Sequence, residues 1–283
     1  MNRVELSAGA VIAYVSAGPE DGTSVILVHG ASQHHGIWRN QIHDLAAVGY
    51  RVHALDLPGH GSSEPARLEP GDRAPEYTVS DYAALVLEFG SVVADAPFLL
   101  VGHSMSGGVV LNAALDEQER LLGVVVVDGT SFGRAYSDDF LDTVKLNVAG
   151  WLEVNYRSLC ARAAGPDRIQ AAVAPLLDTA ESTMWNDLLA FSGLDLRPRL
   201  GTLTLPVAFI CGELDWSVTV EMAEKTRALC VAAPTELRVI PGVGHFPQEE
   251  APELLGIQLR ELLEWALAGS TSSASTSTGG SQA

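Results

Sequence analysis

The sequence predicts an α/β fold: a mostly parallel central sheet with helices on both faces, and a helical lid inserted late in the chain. Three observations predict it. From Ser24 to Val127, apolar runs of strand length alternate with segments of helix length. One of these runs, Phe98–His103, breaks into small residues on both sides of Ser104, as a buried strand does when it turns sharply into a helix. The alternation stops near residue 130 and resumes at Leu205, leaving a stretch with helical patches and no convincing strand.

Residues 4–16 read as two short β segments around Ala8-Gly9-Ala10, and Ser24–His29 as a strand buried on both faces. Trp38–Val48 has a helical pattern and Arg51–Leu55 is strand-like. Val79, Tyr82, Ala83, Val86, Phe89 and Val93 recur on one helix face. Then come the strand before Ser104, the helix after it, and the strand Val124–Val127 ending at Asp128. Strands separated by helices imply right-handed crossovers and parallel pairing. After the insertion follow a strand over 205–211, a helix over 218–231, a strand over 236–240 and a last helix over 252–267. The domains are therefore 1–130 with 201–268 as the catalytic core and 131–200 as the helical lid. The tail 269–283 is nearly all Ser, Thr, Gly and Ala, has almost nothing apolar to bury, and is expected to be disordered.

The chain has 283 residues, with 17 basic and 35 acidic side chains and a formal charge of −18. Such acidity repels phosphate backbones and anionic membrane surfaces, so a small-molecule substrate is expected, with neither nucleic acid nor membrane as partner. Cys160, Cys211 and Cys230 are odd in number and lack CxxC spacing, which suggests free thiols rather than a disulfide framework or zinc site. Residues 1–6 lack the apolar core of a signal peptide, and no stretch reaches the roughly twenty apolar residues of a spanning helix. A reducing cytoplasm is the expected compartment.

A serine raised on a strand-to-helix turn is a nucleophile in waiting, expected at positive φ with Gly102 and Ser106 as its small neighbours. It needs a base, and the base needs a carboxylate to fix its tautomer. His245 lies in the Gly-rich loop Pro241–Phe246 after the last strand, whereas His53 falls in a strand and His60 in a loop remote in the pattern. Asp215 and Asp128 both fit the chain order Ser…Asp…His.

The Gly102-His103-Ser104-Met105-Ser106 turn resembles the nucleophile elbow of the α/β-hydrolase superfamily, in its esterase and haloperoxidase-like branch. His29-Gly30, Asp56-Leu57-Pro58-Gly59-His60-Gly61-Ser62-Ser63, Gly212-Glu213-Leu214-Asp215 and the late His245 match that family's other motifs in order. The resemblance covers residues 4 to 268 apart from the lid. It implies Ser104 as nucleophile, His245 as base, Asp215 as acid with Asp128 as rival, and the backbone N–H groups of Ala31 and Met105 as oxyanion hole. Ser106 stands where the common pattern has glycine, so the helix is expected slightly off the strand. Glu213 is expected to be solvated or paired with a surface base, Asp56 to brace its loop, and Trp38 to pack.

His34 and His35 lack a third ligand at metal spacing and are expected at the pocket mouth, touching substrate. The resemblance implies no cofactor and no metal. The expected activity is hydrolysis of an ester, lactone or thioester of a small to medium, largely apolar substrate through an acyl-enzyme. C–C bond hydrolysis, perhydrolysis and a non-hydrolytic ligand-binding role are the alternatives on the same fold. Epoxide and haloalkane hydrolases, which carry Asp as nucleophile, are disfavoured by Ser104.

Overall fold

The structure, a computed structural model, describes residues 1–7, 9–65, 76–94 and 97–276, with side chains described as far as residue 270. Its strands are β1 (Asn2–Glu5), β2 (Val11–Ala17), β3 (Ser24–Val28), β4 (Arg51–Leu55), β5 (Phe98–His103), β6 (Leu121–Val127), β7 (Val207–Gly212) and β8 (Thr235–Ile240). They form one sheet in the order β1-β2-β4-β3-β5-β6-β7-β8. The first two strands pair antiparallel, and all pairs from β4 to β8 are parallel.

Helices cover both faces: α1 (Arg39–Ala47) and α10 (Pro252–Thr276) on one, α2 (Val79–Val93), α3 (Met105–Asp116) and α8 (Val220–Leu229) on the other. The continuous apolar runs follow from that double cover. Along β6, Val124 and Val126 join the core with α2 and α3, while Val125 and Val127 join the core with α1 and α10. A strand buried on both faces has no side that can be polar. Fully burying each such side chain is worth about 1.5–3 kcal/mol.

β6 begins three residues before the expected Val124, because Gly123 tolerates the close approach of α10. A Cβ at Gly123 would lie 2.9 Å from the Ala266 side chain. α10 runs to Thr276, beyond the expected end at Leu267; the rest of the tail, 277–283, lies outside the described residues. No helix among the described residues is long and apolar enough to cross a membrane.

Between β6 and β7 lie α4 (Asp138–Lys145), α5 (Val148–Leu159), α6 (Pro166–Leu177) and α7 (Glu181–Ser192). Ser137 and Asn147 cap α4 and α5, each accepting a backbone N–H of the first turn. These helices bury their own core of Val144, Leu152, Val173, Leu176 and Leu188, which also takes in Phe246 from the loop after β8. The short helix α9 (Pro247–Glu250) follows that loop.

Candidate active site

β5 ends at His103, and Ser104 turns the chain at φ 55°, ψ −121° into α3. The turn requires close main-chain approach, since a Cβ on Gly102 would lie 2.1 Å from the Ser106 carbonyl oxygen. The expected gap between helix and strand is therefore absent. Ser106 fits because its hydroxyl turns away and donates to the His29 carbonyl, tying α3 to the end of β3. The Ser104 N–H donates to Val127 O at 2.9 Å, fixing the turn against β6.

Three sequence-distant side chains meet at this point. Ser104 Oγ lies 2.9 Å from His245 Nε2, and His245 Nδ1 lies 2.5 Å from Asp215 Oδ2. Asp215 Oδ1 accepts from the N–H groups of Ser217 and Val218, so both its oxygens are held. The His245 loop is pinned as well. The N–H groups of Gly244 and Phe246 donate to the Glu250 carboxylate, and the His245 N–H donates to Leu159 O at the end of α5. His103 sits between two loops, its Nε2 2.8 Å from the His245 carbonyl and its Nδ1 3.0 Å from Gln33 Oε1.

The rival acid, Asp128, makes no bond to His245. It is wholly buried at φ 43°, with Oδ1 accepting from Gly212 N at 2.7 Å and the Asp215 carboxyl beside it. Burial, together with the charge of neighbouring Asp215, pushes its carboxyl well above the usual carboxylate range. Asp215, not Asp128, holds His245 Nδ1.

Ala31 and Met105 line the same cleft as Ser104 and His245. Met105 opens α3, so its N–H is among the first four that have no intrahelical acceptor, at the end of the helix dipole that favours negative charge. The cleft encloses about 550 Å³ of space, its open mouth included. Its far wall comes from the inserted helices, with Trp151, Met184, Leu188 and Phe191 as apolar lining.

Several expectations meet a different arrangement. Neither His34 nor His35 lines the cleft: His34 Nδ1 accepts from Gly36 N, while His35 Nδ1 and N both engage Asp56 Oδ1. One nitrogen each of His34 and His35 and one carboxylate oxygen of Asp56 lie within 4.8 Å of one another, and His35 Nδ1 already bonds Asp56 Oδ1. Asp56 braces its own loop through Ser62 N, as expected, with its carboxylate held down to about 2; burial opposes this, and the hydrogen bonds from His35 and Ser62 outweigh it. Glu213 is exposed, as expected, and accepts from Gly242 N. Trp38 is fully buried and packs.

One residue escaped the sequence reading. Asp187, on α7, is completely buried and reaches the cleft. Its signal is a carboxylate inside the apolar run Met184–Phe191, where only a bound partner would justify it.

A profile of the alpha/beta hydrolase family matches residues 25–255. The chain belongs to that family. Among its relatives is a dihydrolipoyllysine-residue acetyltransferase component of an acetoin cleaving system from Pseudomonas putida. It is 28% identical over 277 residues, which are 90% of this chain and 67% of that protein. The pimeloyl-[acyl-carrier protein] methyl ester esterase of Edwardsiella ictaluri is 28% identical over 251 residues, covering 81% of this chain and 88% of its own. An esterase from Thermogutta terrifontis superposes with a TM-score of 0.80 at 23% identity, over 94% of this alpha/beta hydrolase and 99% of that structure. Esterases are thus among the members of the family that the chain resembles.

Proposed function

We propose that the chain is a serine hydrolase that cleaves an ester, lactone or thioester bond of a small to medium, largely apolar substrate. The observation that carries the reading is the hydrogen-bonded chain from Ser104 Oγ through His245 to Asp215, with distances of 2.9 and 2.5 Å. Ser104 Oγ attacks the carbonyl carbon while its proton passes to His245 Nε2. The carbonyl oxygen takes the negative charge between the Ala31 and Met105 N–H groups. Collapse expels the alcohol or thiol, which receives the proton from His245. Water, deprotonated by His245, then adds to the acyl-serine and releases the acid. Asp215 holds the imidazole with Nδ1–H toward it and stabilises the imidazolium. No step draws on a cofactor.

The lining supports a neutral, apolar acyl or alcohol group. Aromatic and aliphatic side chains make most of the far wall. Labelling with a fluorophosphonate and turnover of short p-nitrophenyl esters test the reading. The expected result is labelling at Ser104 and an acyl burst, both lost in Ser104→Ala. No labelling and no turnover by the unaltered chain would return the function to the ligand-binding alternative.

A further inference from the structure

Three side chains of the inserted helices end on the two residues that follow Gly30. Tyr156 Oη, on α5, donates to Ala31 O at 2.5 Å. The Ser32 N–H donates to Asp187 Oδ2, on α7, at 2.6 Å. Thr179, between α6 and α7, shares its hydroxyl hydrogen between Ser32 O at 3.2 Å and Pro175 O at 3.0 Å. The Ala31–Ser32 peptide is therefore gripped at its carbonyl by one helix and at its N–H by another.

The grip falls where the backbone needs it. Ser32 is one of three non-glycine residues at positive φ among the described residues, at 52°. Such a conformation persists only when its surroundings over-determine it. Asp187 is itself fixed: besides Ser32 it accepts from His60 Nε2 at 2.8 Å and Tyr82 Oη at 3.0 Å. His60 Nδ1 faces Pro58 O at 3.1 Å, so both ring nitrogens point at oxygen and only the imidazolium can donate to both. A cap that merely covers a cleft needs apolar contact with the rim. This one directs a fully buried, charge-paired carboxylate at a backbone amide beside the candidate oxyanion donor.

We propose that Asp187 and Tyr156, assisted by Thr179, are positioning residues that set the Ala31 N–H against Ser104. The inserted helices then complete the oxyanion hole as well as the pocket. This rests on the serine-hydrolase reading above, in which Ala31 stabilises the tetrahedral oxyanion.

The test uses the full chain, a p-nitrophenyl ester and a trifluoromethyl ketone, whose carbonyl takes Ser104 Oγ to form a tetrahedral oxyanion while the serine proton moves to His245. Tyr156→Phe removes only the hydroxyl and should lower kcat about tenfold with KM nearly unchanged, weakening ketone inhibition by the same factor. Asp187→Ala should lower kcat on the order of 10²-fold, approaching loss of an oxyanion donor. Asp187→Asn retains an oxygen for Ser32 N–H and should restore most of that loss. The proposal is overturned if KM rises while kcat and ketone inhibition stay put, or if Asp187→Asn falls as far as Asp187→Ala. Should Asp187→Ala fail to fold, Tyr156→Phe decides alone. An unaltered chain without turnover or labelling sinks the hydrolase reading itself, whereas an active chain with indifferent variants sinks only the positioning.

Discussion

Two serines of this chain, the nucleophile itself and the residue after Ala31, hold positive φ, and they are held in different ways. Ser104, at φ 55°, is kept there by main chain: β5 behind it, α3 ahead of it, and its N–H on Val127 O. Ser32, at φ 52°, is kept there by side chains from helices more than a hundred residues away. The nucleophile is thus a property of the sheet and its first covering helix. The loop that carries Ala31 borrows its rigidity from the insertion, so changes in the inserted helices can tune the chemistry without touching Ser104, His245 or Asp215.

The largest expected effect lies wholly in the sheet-borne half. Asp215→Asn should lower kcat on the order of 10⁴-fold, because the wrong tautomer of His245 is then favoured. Asp128→Asn should leave kcat within a few-fold, since an amide still accepts from Gly212 N and Asp215 keeps its bond to His245. Steady-state kinetics on both variants checks the assignment; the reverse pattern would make Asp128 the acid. Next in size is Gly102→Ala. Its new Cβ would meet the main-chain oxygen of Ser106 at 2.1 Å, so α3 or β5 must shift. Turnover should fall about 10²-fold, in line with an ångström-scale displacement of the nucleophile, and the unfolding midpoint should drop with it.

The same division explains what could be read from the sequence. Ser104, His245 and Asp215 sit at strand ends, where the sheet order dictates their meeting, and short motifs around each one reflect main-chain geometry. The roles of Asp187 and Tyr156 have no such local trace. Asp187 meets Ser32 across 155 positions through a side-chain hydrogen bond, which leaves no spacing to recognise. The placement of His34 and His35 failed for a related reason: adjacency to the HG motif says nothing about direction, and Asp56 turns His35 away from the cleft. His60, taken for a remote loop residue, is the charged partner that makes the burial of Asp187 tenable.

Protonation separates the two regions further. Burial holds His29 down to about 3, with the charge of His60 adding to it, and holds His53 down to about 4, with Arg51 adding to it. Burial and the charge of His245 lower His103 as well. These imidazoles are neutral in the fold and would charge in the unfolded chain below about 6.5. Their stabilisation is full above that pH and is lost as pH falls toward the folded values. Asp128 acts oppositely over part of this range: its raised carboxyl binds a proton that the unfolded chain has released. The lowered imidazoles outnumber the raised carboxyl, so stability should rise with pH on the acid side of neutrality. His60 has the other sign. Burial opposes its charge, but the charge and hydrogen bond of Asp187 outweigh that and raise it, so its contribution is full below about 6.5 and lost as pH rises through the folded value. Thermal unfolding should show a maximum near neutrality. The decline above it should become shallower in His60→Gln, while the rise below it remains; a decline of unchanged slope would mean that the His60–Asp187 pair contributes nothing to it.

The smallest effect probes the strain itself. At Ser104, glycine relieves a positive φ that alanine must still bear, so Ser104→Gly should be more stable than Ser104→Ala by about 1 kcal/mol, even though both are inactive. Ser32→Gly and Ser32→Ala should differ by a similar amount in stability, because φ is positive to nearly the same degree. Only at Ser32 does activity survive to report on rigidity. If the side-chain clamp alone fixes the loop, Ser32→Gly should keep kcat within about twofold, because Asp187 and Tyr156 still hold its peptide. A larger loss there would mean that the residue's own backbone stiffness shares the task with the clamp, and chemical denaturation alongside initial rates distinguishes the two.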